Sequence, residues 1–305
     1  MRNEKTETPG ILGIDIGGTN FRIGVVYEQG KTANFRKIPV RSVFRTTDPM
    51  KDLREYIAEY CQNMDIRTIS IGFPAAIDRE RKTVLQAPNV AFMEGLPVVQ
   101  YLTDAFHIPV YIERDVTMAV LYDRRKWSLW DQNMLCGFYF GTGIGNAIVI
   151  DGVPLVGRNG TAGELGHIPV DGSTELCGCG NRGCMENLAG GKYLAHLCES
   201  VFPDTPIGRL FLEKGEDPLL QQFIDRMAMT VATEVNILDP DCVLIGGGVP
   251  SMAGFPKERL VERILVHTRK PFPAQSLRVI FTGDEEDKCV IGAAEYAAMR
   301  MKRMN

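Results

Sequence analysis

The stretch from His167 to Glu186, HIPVDGSTELCGCGNRGCME, gathers the side chains best suited to chemistry. His167, Cys177, Cys179 and Cys184 stand in the spacing H-x9-C-x-C-x4-C, one imidazole and three sulfurs in a short loop. Thiolates and a neutral imidazole suit zinc, and four of them close a tetrahedron with no position left for water, so the expected ion is structural. Gly178, Gly180 and Gly183 are the residues a tight ligand loop needs; free thiols that merely lie close are the competing reading. Glu164 and Glu186 flank the ligands, so a metal that fixes the loop also fixes two carboxylates and the far edge of an imidazole.

Three glycine turns offer phosphate chemistry. In Asp15-Ile16-Gly17-Gly18-Thr19-Asn20 the glycines let backbone N–H groups approach phosphate oxygens, Thr19 adds a hydroxyl, and Asp15 can orient Mg2+ or its water shell. Gly141-Thr142-Gly143-Ile144-Gly145 has the same character, and Gly246-Gly247-Gly248 follows an apolar strand, leaving a flat backbone surface for an adenine ring. None is a Walker A motif or a dinucleotide fingerprint, and any one alone also reads as a plain hairpin or bulge.

The elements that must position these residues repeat. ILGIDIGGTNFRIGVVY predicts strand, glycine turn, strand, with a third strand near 34–40, a helix from Pro49 to about Cys61 and the strand TISIGF. A helix over 97–106 precedes the strand PVYIE, which delivers Arg114 and Asp115 at its carboxyl end, where open α/β sheets usually bind ligands. MLCGFYFGTGIGNAIVI restarts the plan, with a third strand at 153–156, helices near 188–201 and 217–238, the strand CVLIGGG, a helix over 257–268, the strand LRVIFT and a closing helix over 288–303. Two such copies predict a duplicated α/β fold whose two lobes face each other across a ligand cleft, residues 1–113 with the closing helix (288–305) against 114–287.

Composition excludes several classes. The 305 residues are 45% hydrophobic with a net charge of -4, which leaves no basic footprint for nucleic acid or an anionic membrane. The start, MRNEKTETPG, has no apolar signal core, and no run approaches the ~18 apolar residues of a membrane span. Cys61, Cys136, Cys198, Cys242 and Cys289 are scattered through apolar segments, the pattern of reduced thiols in a cytoplasmic protein.

DIGGTN, GTGIG, AGELGH, CGCGNRGCME and GGG together resemble the ROK family of sugar kinases and repressors, in the actin-like, hexokinase-like ATPase superfold, over nearly the whole chain. FPA at 73–75, PN at 88–89 and RD at 114–115 most resemble the D-allose kinases of that family. The resemblance implies ATP-dependent phosphorylation of the 6-hydroxyl of a hexose. Asp115 would be the general base, the glycine turns would hold ATP with Mg2+, and Asn89, Glu164, His167 and Glu186 match the family's sugar-contacting positions. His167 would hold zinc through one ring nitrogen and a sugar hydroxyl through the other. It also implies a homodimer. Taken singly, Asp115 also reads as a helix N-cap, Glu164 as a surface carboxylate, Asn89 as a turn former and Glu186 as a first-turn helix residue.

Two departures bear on specificity. Glucose-type members commonly carry Asn before the catalytic Asp, where this chain has Arg114, a donor-only fork, and Ala75 replaces a common Gly. Arg114 is therefore expected to read the ring hydroxyl that separates allose from glucose. Glucokinase and N-acetylhexosamine kinase activities are the alternatives within the family. A non-catalytic sugar sensor or repressor is the alternative of another class; it is expected to need a preceding helix-turn-helix, for which the first strand near Ile11 leaves no room.

Overall fold

The computed structural model describes residues 9–27 and 30–304, so the opening MRNEKTET, with the expectation placed on it, lies outside the described residues. The chain divides into two compact units. The described parts of Met1–Ser128, Val156–Thr161 and Glu285–Asn305 form the first, and Leu129–Leu155 with Ala162–Asp284 form the second.

The first unit is built on β1 (Gly10–Ile16), every residue of which is buried, as expected of a strand covered on both faces. β1 pairs antiparallel with β2 (Asn20–Val26) and parallel with β4 (Ile66–Phe73). With β3 (Thr32–Pro39) outside β2 and β7 (Val110–Arg114) outside β4, the sheet order is β3-β2-β1-β4-β7. Helix α1 (Pro49–Tyr60) starts where Asp48 accepts a hydrogen bond from the Lys51 amide and Pro49 presets the first turn, and it buries Met50, Leu53, Ile57 and Tyr60. A two-stranded ribbon, β5 (Ala76–Ile77) with β6 (Val84–Gln86), has no counterpart in the expected plan; helices α2 (Val98–Phe106) and α3 (Asp115–Lys126) flank β7.

The closing helix Lys288–Met304 belongs to the first unit. Gly292 lies so close to α3 that a Cβ there would overlap the Met118 carbonyl oxygen. That backbone approach places α3 in the first unit, whereas the expected boundary near residue 113 would have set it in the second.

The second unit repeats the topology. β8 (Met134–Phe140), β9 (Ile144–Ile150), β10 (Val153–Pro154), β11 (Cys242–Gly246) and β12 (Val279–Phe281) are ordered β10-β9-β8-β11-β12, the same third-second-first-fourth-fifth arrangement as in the first sheet. This is the duplicated α/β architecture expected from the sequence. The helix expected over 188–201 is interrupted at Gly190, whose extended backbone separates α4 (Glu186–Ala189) from α5 (Gly191–Ser200). α6 (Leu210–Lys214) is an additional short turn; α7 (Pro218–Leu238) and α8 (Lys257–His267) fall where periodicity places them. Phe138, Phe140, Phe223, Val231 and Leu260 are among the fully buried residues of this core. Among the described residues no helix is long and apolar enough to cross a membrane.

Candidate active site and metal centre

In the first unit the carboxyl ends of the parallel strands bring two carboxylates together. The sheet register aligns Asp15 on β1 with Gly72 on β4 and Glu113 on β7. Asp115, the first residue of α3, lies just beyond β7. A Cβ on Gly72 would be 3.7 Å from Asp15 Oδ1, 3.7 Å from Asp115 Cα and 3.3 Å from Met118 Cγ, so both aspartates lie close to this glycine. Asp115 is half-buried and its Oδ1 accepts the Val116 amide at 2.8 Å, which fixes the carboxylate at the helix start. The N-cap residue itself is Arg114, which is buried.

Asp15 accepts a 2.8 Å hydrogen bond from Arg22, its direct neighbour on β2. Burial pushes the Asp15 carboxyl up, and the Arg22 charge and hydrogen bond oppose that shift. Cys289 completes the group: its Sγ donates to the Asp115 carbonyl at 3.7 Å, and burial beside Asp15 and Asp115 holds its thiol well above the usual range.

The first glycine turn closes through Gly17 N to Asn20 O at 2.9 Å, leaving Gly18 and Thr19 exposed. Asn89 sits on this turn, with its carbonyl oxygen 3.0 Å from where a Gly18 Cβ would be. Two residues absent from the sequence expectations support the edge from behind. Arg81 and Glu113 form a buried ion pair, Nε to Oε2 2.9 Å, and Glu113 Oε1 accepts the Arg114 amide at 2.8 Å.

In the second unit His167, Cys177, Cys179 and Cys184 converge, with ligand atoms all within 4.8 Å of one another. Zn–S and Zn–N bonds of about 2.3 and 2.05 Å at tetrahedral angles require S···S near about 3.8 Å and S···N near about 3.6 Å. Cys179 Sγ lies 3.7 Å from Cys184 Sγ, and Cys177 Sγ 3.6 Å from His167 Nδ1, so these edges fit a zinc ion without movement. Burial pushes the Cys184 thiol up to about 12, a cost that a cation on the sulfur removes. Nδ1 of His167 faces the sulfurs, whereas Nε2 lies 3.6 Å from Glu164 Oε2. The other five cysteines are free thiols, buried or half-buried.

The second glycine turn is held by the start of α5. Gly191 N donates to Gly141 O at 2.8 Å and Lys192 N to Thr142 O at 3.0 Å. In a trans peptide the N–H opposes the C=O, so turning these two carbonyls to the helix turns the Thr142 and Gly143 amides away from it. A side chain at Gly191 would prevent this, because its Cβ would lie 2.5 Å from Gly141 O. The pair Gly190-Gly191, directly before a helical segment, carried that signal in the sequence and was missed. Ile144 N donates to Glu186 Oε2 at 2.9 Å, and Gly145 continues into β9.

The third turn starts as β11 ends at Gly246. Gly247 has φ +95° and lies against β8, where a Cβ would be 2.5 Å from Phe140 O; Gly248 is exposed with open space around its Cα.

The ROK family model matches residues 11–300. The glucokinase of Thermotoga maritima is 27% identical over 95% of this chain and 98% of its own length. The N-acetyl-D-glucosamine kinase of Escherichia coli O127:H6 is 28% identical over 85% of this chain and 91% of its own. Among solved structures, a ROK family transcriptional regulator homologous to the E. coli MLC protein superposes with a TM-score of 0.81 at 23% identity, covering 94% of this chain and 77% of the regulator. With a family match that spans both glycine-turn sheets and the His167–Cys184 loop, the chain belongs to the ROK family.

Proposed function

We propose that this ROK protein is an ATP-dependent hexose kinase that phosphorylates the sugar 6-hydroxyl, with D-allose the favoured substrate. The observation that carries the reading is Asp115, a carboxylate at the carboxyl edge of parallel strands beside Asp15 and the first glycine turn. There it accepts the proton of the attacking hydroxyl as the γ-phosphoryl is transferred. Asp15 would orient Mg2+ or its water shell, and the Gly17–Asn20 turn with Gly141, Thr142, Gly143 and Gly145 binds the phosphates of ATP. Their outward amides meet the charge that develops on the transferring group. Gly246, Gly247 and Gly248 receive the adenine. Mg2+ bound with ATP would supply charge neutralisation at the β- and γ-phosphates.

Asn89, Arg114, Glu164, His167 and Glu186 contact the sugar. Zinc held by His167, Cys177, Cys179 and Cys184 would fix the loop that carries Glu186 and orient the His167 ring, leaving Nε2 for a hydroxyl. The preference for allose is supported by the likeness of residues 73–75, 88–89 and 114–115 to allose kinases. The named relatives act on glucose and N-acetyl-D-glucosamine, which makes those sugars the competing substrates. A sensor role like that of the structurally similar regulator is disfavoured, because a non-catalytic chain has no use for Asp115 with three intact glycine turns.

An ADP-release assay across a hexose panel with ATP and Mg2+ tests the reading. D-allose is expected to give the highest kcat/KM, and Arg114→Asn to lower the allose to glucose ratio. Turnover with glucose or N-acetyl-D-glucosamine alone refutes the allose assignment; turnover with no hexose refutes the kinase.

A further inference from the structure

We infer that the metal loop sets the nucleotide affinity of this protein, through a clamp that Glu186 places on the second glycine turn. The inference rests on the proposed role of that turn in phosphate binding. Glu186 lies two residues after the ligand Cys184, and its Oε2 accepts the Ile144 amide at 2.9 Å. Its carboxylate also occupies the space a Gly143 side chain would need. From the other end of the loop, Gly166, adjacent to the ligand His167, packs on the same residue. A Cβ there would be 3.1 Å from Ile144 O and 3.4 Å from Glu186 Cβ.

Both ends of the metal loop therefore bear on Ile144. The opposite side of the turn is held by Gly191 N and Lys192 N through the carbonyls of Gly141 and Thr142. The turn is fixed from two directions, and the clamp consumes the Ile144 amide while leaving those of Thr142 and Gly143 to point outward. A helix N-terminus that donates to a peptide carbonyl also polarises the N–H of the same peptide, which strengthens it as a donor to phosphate. Loss of the Glu186 clamp lets the turn move and forfeits preorganisation, which is paid at the moment of binding. The role of Glu186 here is positioning, apart from any contact its other oxygen makes with sugar.

The test is the affinity for ADP, measured by calorimetry without sugar and without Mg2+. It compares the wild-type protein, Glu186→Gln and Glu186→Ala, each as purified and after chelation, with bound zinc counted by mass spectrometry. Gln keeps an oxygen acceptor for Ile144 and removes a negative charge from the turn, so it should bind ADP at least as tightly as wild type. Ala should bind about three- to tenfold more weakly, the scale of one net hydrogen bond. Chelation should weaken wild type by a similar factor and add little to Ala, since both act through one contact. Unchanged or tighter binding by Ala overturns the inference, because the freed Ile144 amide would then be helping rather than loosening the site. An equal chelation effect in wild type and Ala also overturns it. If Ala does not fold, unchanged wild-type affinity after chelation suffices to do so. Wild-type protein that binds no ADP removes the kinase reading as well, whereas binding that ignores Glu186 removes only this inference.

Discussion

The buried pair Arg81–Glu113 is expected to hold the strand edge that carries Arg114 and Asp115. Arg81 is 4% exposed and Glu113 0%, so the carboxylate has no water to fall back on. Arg81 Nη1 donates to the carbonyls of Ile77 and Gly160 at 2.9 Å each and more weakly to Asp78. The Nε–Oε2 approach of 2.9 Å lacks good hydrogen-bond geometry, so that contact is chiefly ionic. Arg81→Met keeps the side-chain stem but leaves a buried charge and strips the carbonyls of their donor. Both forms occupy the same φ of +57°, so backbone strain cancels. Removing one partner of a buried pair costs about 3–5 kcal/mol. Glu113→Gln keeps an oxygen for the Arg114 amide and leaves Arg81 with its carbonyls, so about 1–3 kcal/mol is expected. The double variant removes the uncompensated charge and should cost less than the sum of the singles by about 1–3 kcal/mol. Urea unfolding followed by circular dichroism measures all four. A cost below about 1 kcal/mol for Arg81→Met, or strict additivity, refutes the assignment.

Three further substitutions probe the second unit. Gly247→Ala combines φ +95° with an approach of 2.5 Å to Phe140 O and should cost about 2–5 kcal/mol, whereas Gly248→Ala, with open space, should stay within about 0.5 kcal/mol; equal effects in urea melts contradict this geometry. Glu234 is buried against Asn146, whose side chain donates to it at 3.1 Å; burial raises its carboxyl, and hydrogen bonds from Cys136 and Asn146 only partly offset this. A raised acid is still protonated in the folded protein when the unfolded chain has lost its proton, so stability falls as pH climbs above the usual Glu range near about 4.3. Glu234→Gln should therefore melt above the parent near neutral pH, with the gap closing toward about pH 4; a gap that does not change with pH refutes the account.

Much of this was legible in the sequence, and for physical reasons. Alternating apolar runs broken by GGTN and GTG turns are local signals, and the identical strand orders of the two sheets are the duplication read from them. The convergence of His167, Cys177, Cys179 and Cys184 was equally legible, because these are rare residues within one loop and their spacing constrains the geometry. What escaped depends on partners distant in sequence. Arg81 looks like a surface residue in DRERK until Gly160 and Glu113 close around it. Gly190-Gly191 reads as a helix breaker until the carbonyls of Gly141 and Thr142 arrive at the helix start. Arg22, seven residues from Asp15, is within reach of the hairpin register, which sets the two side by side on neighbouring strands.

Single-turnover phosphorylation by Asp115→Asn beside wild type tests whether Asp115 acts as the general base of phosphoryl transfer. The substitution preserves size and the hydrogen bond to the Val116 amide, so melting temperature and ADP affinity should not change. The phosphorylation rate should fall by about a hundredfold to ten-thousandfold. A folded Asp115→Asn protein that phosphorylates hexose within about tenfold of the wild-type rate would contradict the account.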